Sequence, residues 1–397
     1  MINAYRKLFN ENFSEEKYRK FLGLLQEEYA APSIRFAETP VFIPAALRER
    51  LIDAGKEIIA LIKQPDFRAI TEQAIPKGWK VPNEGSHPHF LAFDFGICQG
   101  DDGELLPKLI ELQAFPSLFG LQLQLANSYR SAFQLDEYAA LTPFFYGIDE
   151  DEYLNLLKKV ILGSCAPEEV ALMDIDAPYQ KTAIDFYITS RHLGIPVLSF
   201  TDIIKEGRQL FYQSGERKIQ LKRIYNRVIF DEIKDKPELL NENFDPREDL
   251  DIEWITHPNW FYRVSKFTLP FLKGDFVPET QFLDKIEAIP NDLENYVLKP
   301  LFSYAGKGVK IDVTEEDIFP ITDPENWILQ KKVAYLPVID SPQGMVKTEI
   351  RLLYIWPEGE EPQLCINLAR LSKGKMIGVS HNHDDGWTGG TVGLMDL

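Results

Sequence analysis

Cysteine is scarce in this chain: Cys98, Cys165 and Cys365 are the three in 397 residues, with no paired spacing. So few thiols cannot build a disulfide framework, and they suit a reducing compartment, so a cytoplasmic location is expected. Long apolar runs are missing too. The start, MINAYRKLFNENFSEEKYRK, has no secretion-signal core, and no window reaches the roughly 18 uninterrupted apolar residues of a membrane span. Basic charge is in deficit, with 43 Lys and Arg against 61 Asp and Glu and a net charge of −18. That field repels phosphate backbones and anionic lipid heads, so neither nucleic acid nor a membrane is expected as a partner. Internal repeats and low-complexity tracts are also absent. What is present is enough apolar residue, 45%, to build large cores, and a length suited to about two or three domains.

Texture divides the chain into four regions. Residues 1–75 read as helical, since Leu47, Leu51, Ala54, Ile58 and Ile62 recur at helical spacing and Pro44 is placed to open that helix. In 76–150, Pro- and Gly-rich loops surround two strands, Phe90 to Phe95 and Pro107 to Gln113, joined through GDDG as a hairpin-like pair carrying Asp94 and Glu111. In 151–250, a helix from Tyr153 to Ile161 precedes the strand EVALMDI, a helix ending before Gly194, and the strand IPVLSF. Two apolar strands joined through a helix imply a parallel pair, which KIQLKRIYN is expected to join. The acidic stretch DEIKDKPELLNENFDPREDLDIEW reads as an exposed excursion. From 251 to 397, strands alternate with Gly-rich turns and short helices. The fold class is therefore α+β with a small parallel α/β part and an N-terminal helical region.

Chemistry concentrates in YVLKPLFSYAGKGV, where strand residue Lys299 precedes a loop with Ser303, Gly306, Lys307 and Gly308. Glycines let backbone N–H groups approach phosphate oxygens closely, and a lysine on a strand holds a charge in place. Taken singly, the loop is ordinary turn chemistry and Lys299 a surface lysine. Order supplies the stronger signal. Lys266 lies upstream on an apolar, helix-like run, followed by Val277-Pro278-Glu279-Thr280. Downstream come WILQ, Glu349-Ile350-Arg351, Arg370, Asn382 and Gly389-Gly390. At the carboxyl end of KRIYN, Asn226 and Arg227 are placed to receive an anionic substrate.

That ordered series resembles the ATP-grasp superfamily, whose members join a carboxylic acid to an amine at the expense of ATP. The resemblance implies that Lys266 and Lys299 hold phosphates beneath a lid containing Ser303, Gly306, Lys307 and Gly308. It implies that Gln330, Lys331 and Val333 belong to the hinge that meets adenine, and that Arg351, Arg370 and Asn382 are catalytic. The family's metal hairpin matches the front of the chain instead of the back: Asp94, Glu111 and Gln113 stand as ligands for Mg²⁺, two ions being usual, with Gln113 where Asn is common. The order is similar to the circularly permuted synthetase half of glutathionylspermidine synthase, with a small pre-ATP-grasp-like α/β domain.

The implied activity is an ATP- and Mg²⁺-dependent ligation of a small-molecule or peptide carboxylate to an amine through an acyl phosphate. Two alternatives share the same ATP-side residues: a phosphotransferase, and an ATP-binding protein without turnover. His87-x-His89 and His381-x-His383 leave open a Zn²⁺ or Fe²⁺ site, although both lie in Pro- or Gly-rich segments with no third nitrogen ligand by spacing.

Overall fold

The computed structural model describes residues 1–26, 34–302, 306–374 and 388–397. Its organising element is the Phe90–Gln99 strand, whose alternate residues enter two different cores. Leu91, Phe93, Phe95 and Ile97 join one apolar cluster, while Phe90 and Ala92 join another on the opposite face. Period-two burial on both faces makes it an interior strand. Its sheet is six-stranded and antiparallel along the order Thr388–Thr391, Gln363–Ser372, Gly344–Ile355, Phe90–Gln99, Leu105–Gln113, with Ile339–Ser341 paired to Gly344–Ile355. Front and back of the sequence thus share one sheet. The expected hairpin, Phe90–Gln99 with Leu105–Gln113, is present and longer than its sequence pattern implied.

The N-terminal region is helical. Its Ala45–Ile62 helix turns Leu47, Leu51, Ala54, Ile58 and Ile62 into the first cluster, each large aliphatic side chain contributing roughly 1.5–3 kcal/mol by leaving water. A second sheet is wholly parallel, in the order Glu253–Ile255, Arg223–Asn226, Val170–Asp174, Val197–Ser199. The Ala183–Leu193 helix links its last two members, and Gly194 ends that helix at φ 73°, a left-handed conformation that glycine adopts without a Cβ penalty. Two expectations need correction here. KIQLKRIYN divides: Arg217–Leu221 pairs with Gln209–Ser214 in a separate antiparallel meander, and Arg223–Asn226 enters the parallel sheet. The acidic excursion ends in strand, because Trp254 and Ile255 are buried as the outer member of that sheet.

A third sheet, antiparallel, runs Thr280–Phe282, Trp327–Lys331, Tyr296–Pro300, Lys310–Ile311. Finally, Val41–Phe42 pairs in parallel with Gly393–Asp396, which pairs in turn with Leu141–Thr142. Among the described residues, no helix is long and apolar enough to cross a membrane.

Candidate functional site

Register in the central sheet places polar side chains in two adjacent rows. Glu111 lies opposite Asp94, and Asp94 opposite Arg351; the next row runs Gly96, Glu349, Arg370, Gly390. Asp94 is 2% exposed, and both of its oxygens are held by guanidinium groups. Arg351 Nε donates to Oδ1, Arg351 Nη2 donates to Oδ2 at 2.7 Å, and Arg370 Nη2 donates to Oδ2 at 2.9 Å. Arg370 also meets Glu349 Oε2 at 2.8 Å, and the Tyr335 hydroxyl donates to Glu349 Oε1. Gln113, with its amide oxygen turned to Arg351, accepts from Nη1 at 3.1 Å and Nη2 at 3.2 Å.

Burial would raise the Asp94 carboxyl, but Arg351 and Arg370 outweigh it and hold the group below the usual carboxylate value. At Glu349 burial prevails over Arg370, and that carboxyl is raised. Arg370 is itself raised: burial pulls it down, and Glu349 and Asp94 more than compensate.

The third sheet faces this surface. Lys299, 7% exposed, projects from Tyr296–Pro300, and its Nζ donates to the Ile110 carbonyl at 2.9 Å and to Gln330 Oε1 at 2.6 Å. Burial pushes Lys299 down to about 8, with Glu111 opposing and Lys266 adding to the effect. Lys266 begins the short 3₁₀ turn Lys266–Phe271, tighter than the expected helix, and its Nζ lies 3.3 Å from Glu111 Oε1. Between the sheets is a cavity of about 930 Å³. Glu111, Gln113, Lys266, Lys299, Gly306, Gln330, Lys331, Val333, Arg351, Arg370 and Arg227 all line it.

Other residues singled out in the sequence lie elsewhere. Asp94 sits behind its two arginines and does not line the cavity. Asn226 turns inward, its Oδ1 accepting from the Val228 N–H at 3.1 Å. Lys307 is exposed, and neither it nor Gly308 lines the cavity. Gly306 and Gly308 have φ of 76° and 77°, which explains the glycines. Ser303, Asn382, His381 and His383 lie outside the described residues. His87 and His89 stand apart from the cavity and flank Glu358 at 3.5 and 3.4 Å, with His87 stacked on Trp356. Among the described residues, no group of three or more His, Cys, Asp or Glu is disposed to hold a metal ion.

Arg227, directly after the Arg223–Asn226 strand of the parallel sheet, also lines the cavity. Its Nη1 donates to the Pro116 carbonyl and lies 3.4 Å from Asp185 Oδ2, and its guanidinium rests on the rings of Phe115 and Phe186. Asp174, at the carboxyl end of Val170–Asp174, also lines the cavity and was not anticipated. Its Oδ1 accepts from the Ile175 N–H at 2.6 Å and from Gln180 Nε2 at 3.0 Å, and burial, against Arg227, pushes its carboxyl up to about 7. Its place at the end of a parallel strand was the available signal. Tyr335 was also missed, and a loop tyrosine carries no pattern that would reveal it.

No protein-family model matches this sequence, and no curated protein matches it. Among solved structures, a glutathione synthetase like-effector from Globodera pallida, in its apo form, superposes with a TM-score of 0.57. The two chains share a fold. The correspondence covers 96% of this chain and 98% of that one at 11% sequence identity, so it is the path of the backbone that is held in common.

Proposed function

We propose that this chain is a circularly permuted ATP-grasp enzyme that ligates a carboxylic acid to an amine through an acyl phosphate. The observation that carries the reading is one cavity lined by Lys266 and Lys299 from the back of the sequence and by Glu111 and Gln113 from the front. The fold shared with a glutathione synthetase like-effector supports it.

The residues fit a divalent cation in part. Glu111 is an oxygen donor facing the cavity and suits Mg²⁺, whereas Gln113, two residues on along the same strand, turns its amide oxygen to Arg351. Asp94 does not suit the ion, because guanidinium groups hold both its oxygens. In this reading Glu111 would hold the ion, which when bound would neutralise phosphate charge, while Asp94 and Gln113 position Arg351 and Asp94 also positions Arg370. Lys266 and Lys299 bind the triphosphate, while Arg370 and Arg351 stabilise charge on the transferring phosphoryl group. The hinge around Lys331 and Val333 borders the nucleotide. Arg227 and Asp174 offer a cation and a titratable carboxyl to the acid or amine.

A screen for ADP release over carboxylate and amine pairs tests the proposal, with Lys299→Ala as control. Amine-dependent ADP release that the control abolishes is expected. A stable phosphoproduct formed without amine identifies a phosphotransferase instead, and an unchanged rate in the control removes Lys299 from the site.

A further inference from the structure

Gln330 is 2% exposed and looks into the cavity from the Trp327–Lys331 strand. Its Oε1 accepts from Lys299 Nζ at 2.6 Å. Its Nε2 is buried with no hydrogen-bond partner. The amide oxygen is used by Lys299, but a buried amide donor without an acceptor is penalised. An unpartnered donor on a residue that lines the cavity points to a ligand that supplies the missing acceptor.

Lys299 narrows the chemistry of that ligand. An ammonium carries three N–H donors, and two of those on Lys299 are directed at the Ile110 carbonyl and Gln330 Oε1. One remains for the cavity. Because Gln330 Oε1 accepts from Nζ, the Nε2 of the same amide group lies within the span of a single tetrahedral anion from that ammonium. A neutral second donor also suits a place where Lys266 already acts on Lys299 by charge repulsion, since it binds an anion oxygen without adding a third positive charge.

We propose that Gln330 and Lys299 together form a subsite for one phosphoryl group, with Gln330 Nε2 donating to one oxygen and Lys299 Nζ to another. This rests on the reading that the cavity takes a nucleoside triphosphate. It assigns to Gln330 a direct role in binding phosphate, distinct from the contact of the hinge backbone with a base.

Calorimetric titration of the full chain with ATP and with inorganic tripolyphosphate separates the possibilities, using Gln330→Met and Gln330→Glu, each checked for an unchanged melting temperature. Wild type is expected to bind both ligands. Gln330→Met should weaken both about tenfold, the loss of roughly one hydrogen bond. Gln330→Glu keeps an acceptor for Lys299 but replaces the donor with a negative charge, and should lower both affinities by more than a hundredfold. Loss of ATP affinity in Gln330→Met with tripolyphosphate unaffected would place the amide against another part of the nucleotide and overturn the subsite. Wild-type affinity in Gln330→Glu would show that the residue merely orients Lys299, which also overturns it. If wild type binds neither ligand, the nucleotide reading of the cavity fails, and the subsite falls with it.

Discussion

Asp94 and Arg351 are 257 residues apart in sequence and directly opposite each other in the central sheet, joined through both carboxylate oxygens. The pair is buried, so its value to the fold depends on remaining complete. Removing one partner of a buried ion pair leaves an uncompensated charge and typically costs about 3–5 kcal/mol.

Arg351→Met is therefore expected to destabilise the chain by about 3 kcal/mol, the lower end applying because Arg370 still reaches Asp94 at 2.9 Å. Asp94→Asn added to that variant should recover more than half the loss. Urea unfolding of the two single variants and the double variant measures the coupling directly. Strict additivity of the two losses would show that the pair contributes nothing as a pair.

Gly96 concerns the approach of the segment carrying Val333 and Tyr335, the hinge of the proposed nucleotide site. A Cβ at that position would lie 2.8 Å from Tyr335 Cε1 and 3.0 Å from Val333 Cγ1. The Tyr335 ring is tethered by its hydroxyl to Glu349, and the Leu336 N–H donates to the Ile97 carbonyl at 3.0 Å, so the segment has little room to yield. Gly96→Ala should displace Val333 and weaken ATP binding at least tenfold, with a far smaller effect on tripolyphosphate. Equal losses for the two ligands would mean that the damage is not confined to the hinge.

Lys299 gives the site a pH dependence of definite sign. Burial holds its ammonium near 8 against an ordinary value of 10.5. Anion affinity belongs to the protonated form, so the affinity for ATP should fall as pH rises through about 8, approaching tenfold per unit. Lys299→Met should flatten that profile. Stability moves the other way. Between about 8 and 10.5 the unfolded chain holds this proton more tightly than the folded one, so the contribution of Lys299 to unfolding free energy rises with pH. An affinity profile that stays flat from pH 7 to 9.5 would remove Lys299 from phosphate binding.

Much of the frame was legible because local pattern and global packing agree. The helix over Ala45–Ile62 shows in its apolar spacing, the hairpin carrying Asp94 and Glu111 in its alternation and Gly-Asp turn, and the Val170–Asp174 and Val197–Ser199 strands in short apolar runs around a helix. The residues around the cavity were legible in kind but less so in partner. Alternation says which face of a strand Asp94 occupies, yet only the register of Gly344–Ile355 decides that Arg351 stands opposite. Asn226 and Arg227 are consecutive and point to different surroundings, one closing a turn and the other reaching the cavity, a division that no single-sequence pattern encodes. The stretch 218–226 reads as one strand because its apolar alternation continues through Lys222, where the chain passes from the meander to the parallel sheet.

The pairing of Val41–Phe42 with Gly393–Asp396 has a mechanical consequence. The two strands run in the same direction, bridged by Val41 N–H to the Val392 carbonyl at 3.0 Å and Ile43 N–H to the Leu394 carbonyl at 2.8 Å. Tension applied through handles at residues 41 and 396 acts along both strands in opposite senses, loading the bridging bonds together in shear instead of peeling them one by one. A force–extension trace between those points should begin with a single high rupture, and a low, gradual release would mean that the ends separate by unzipping.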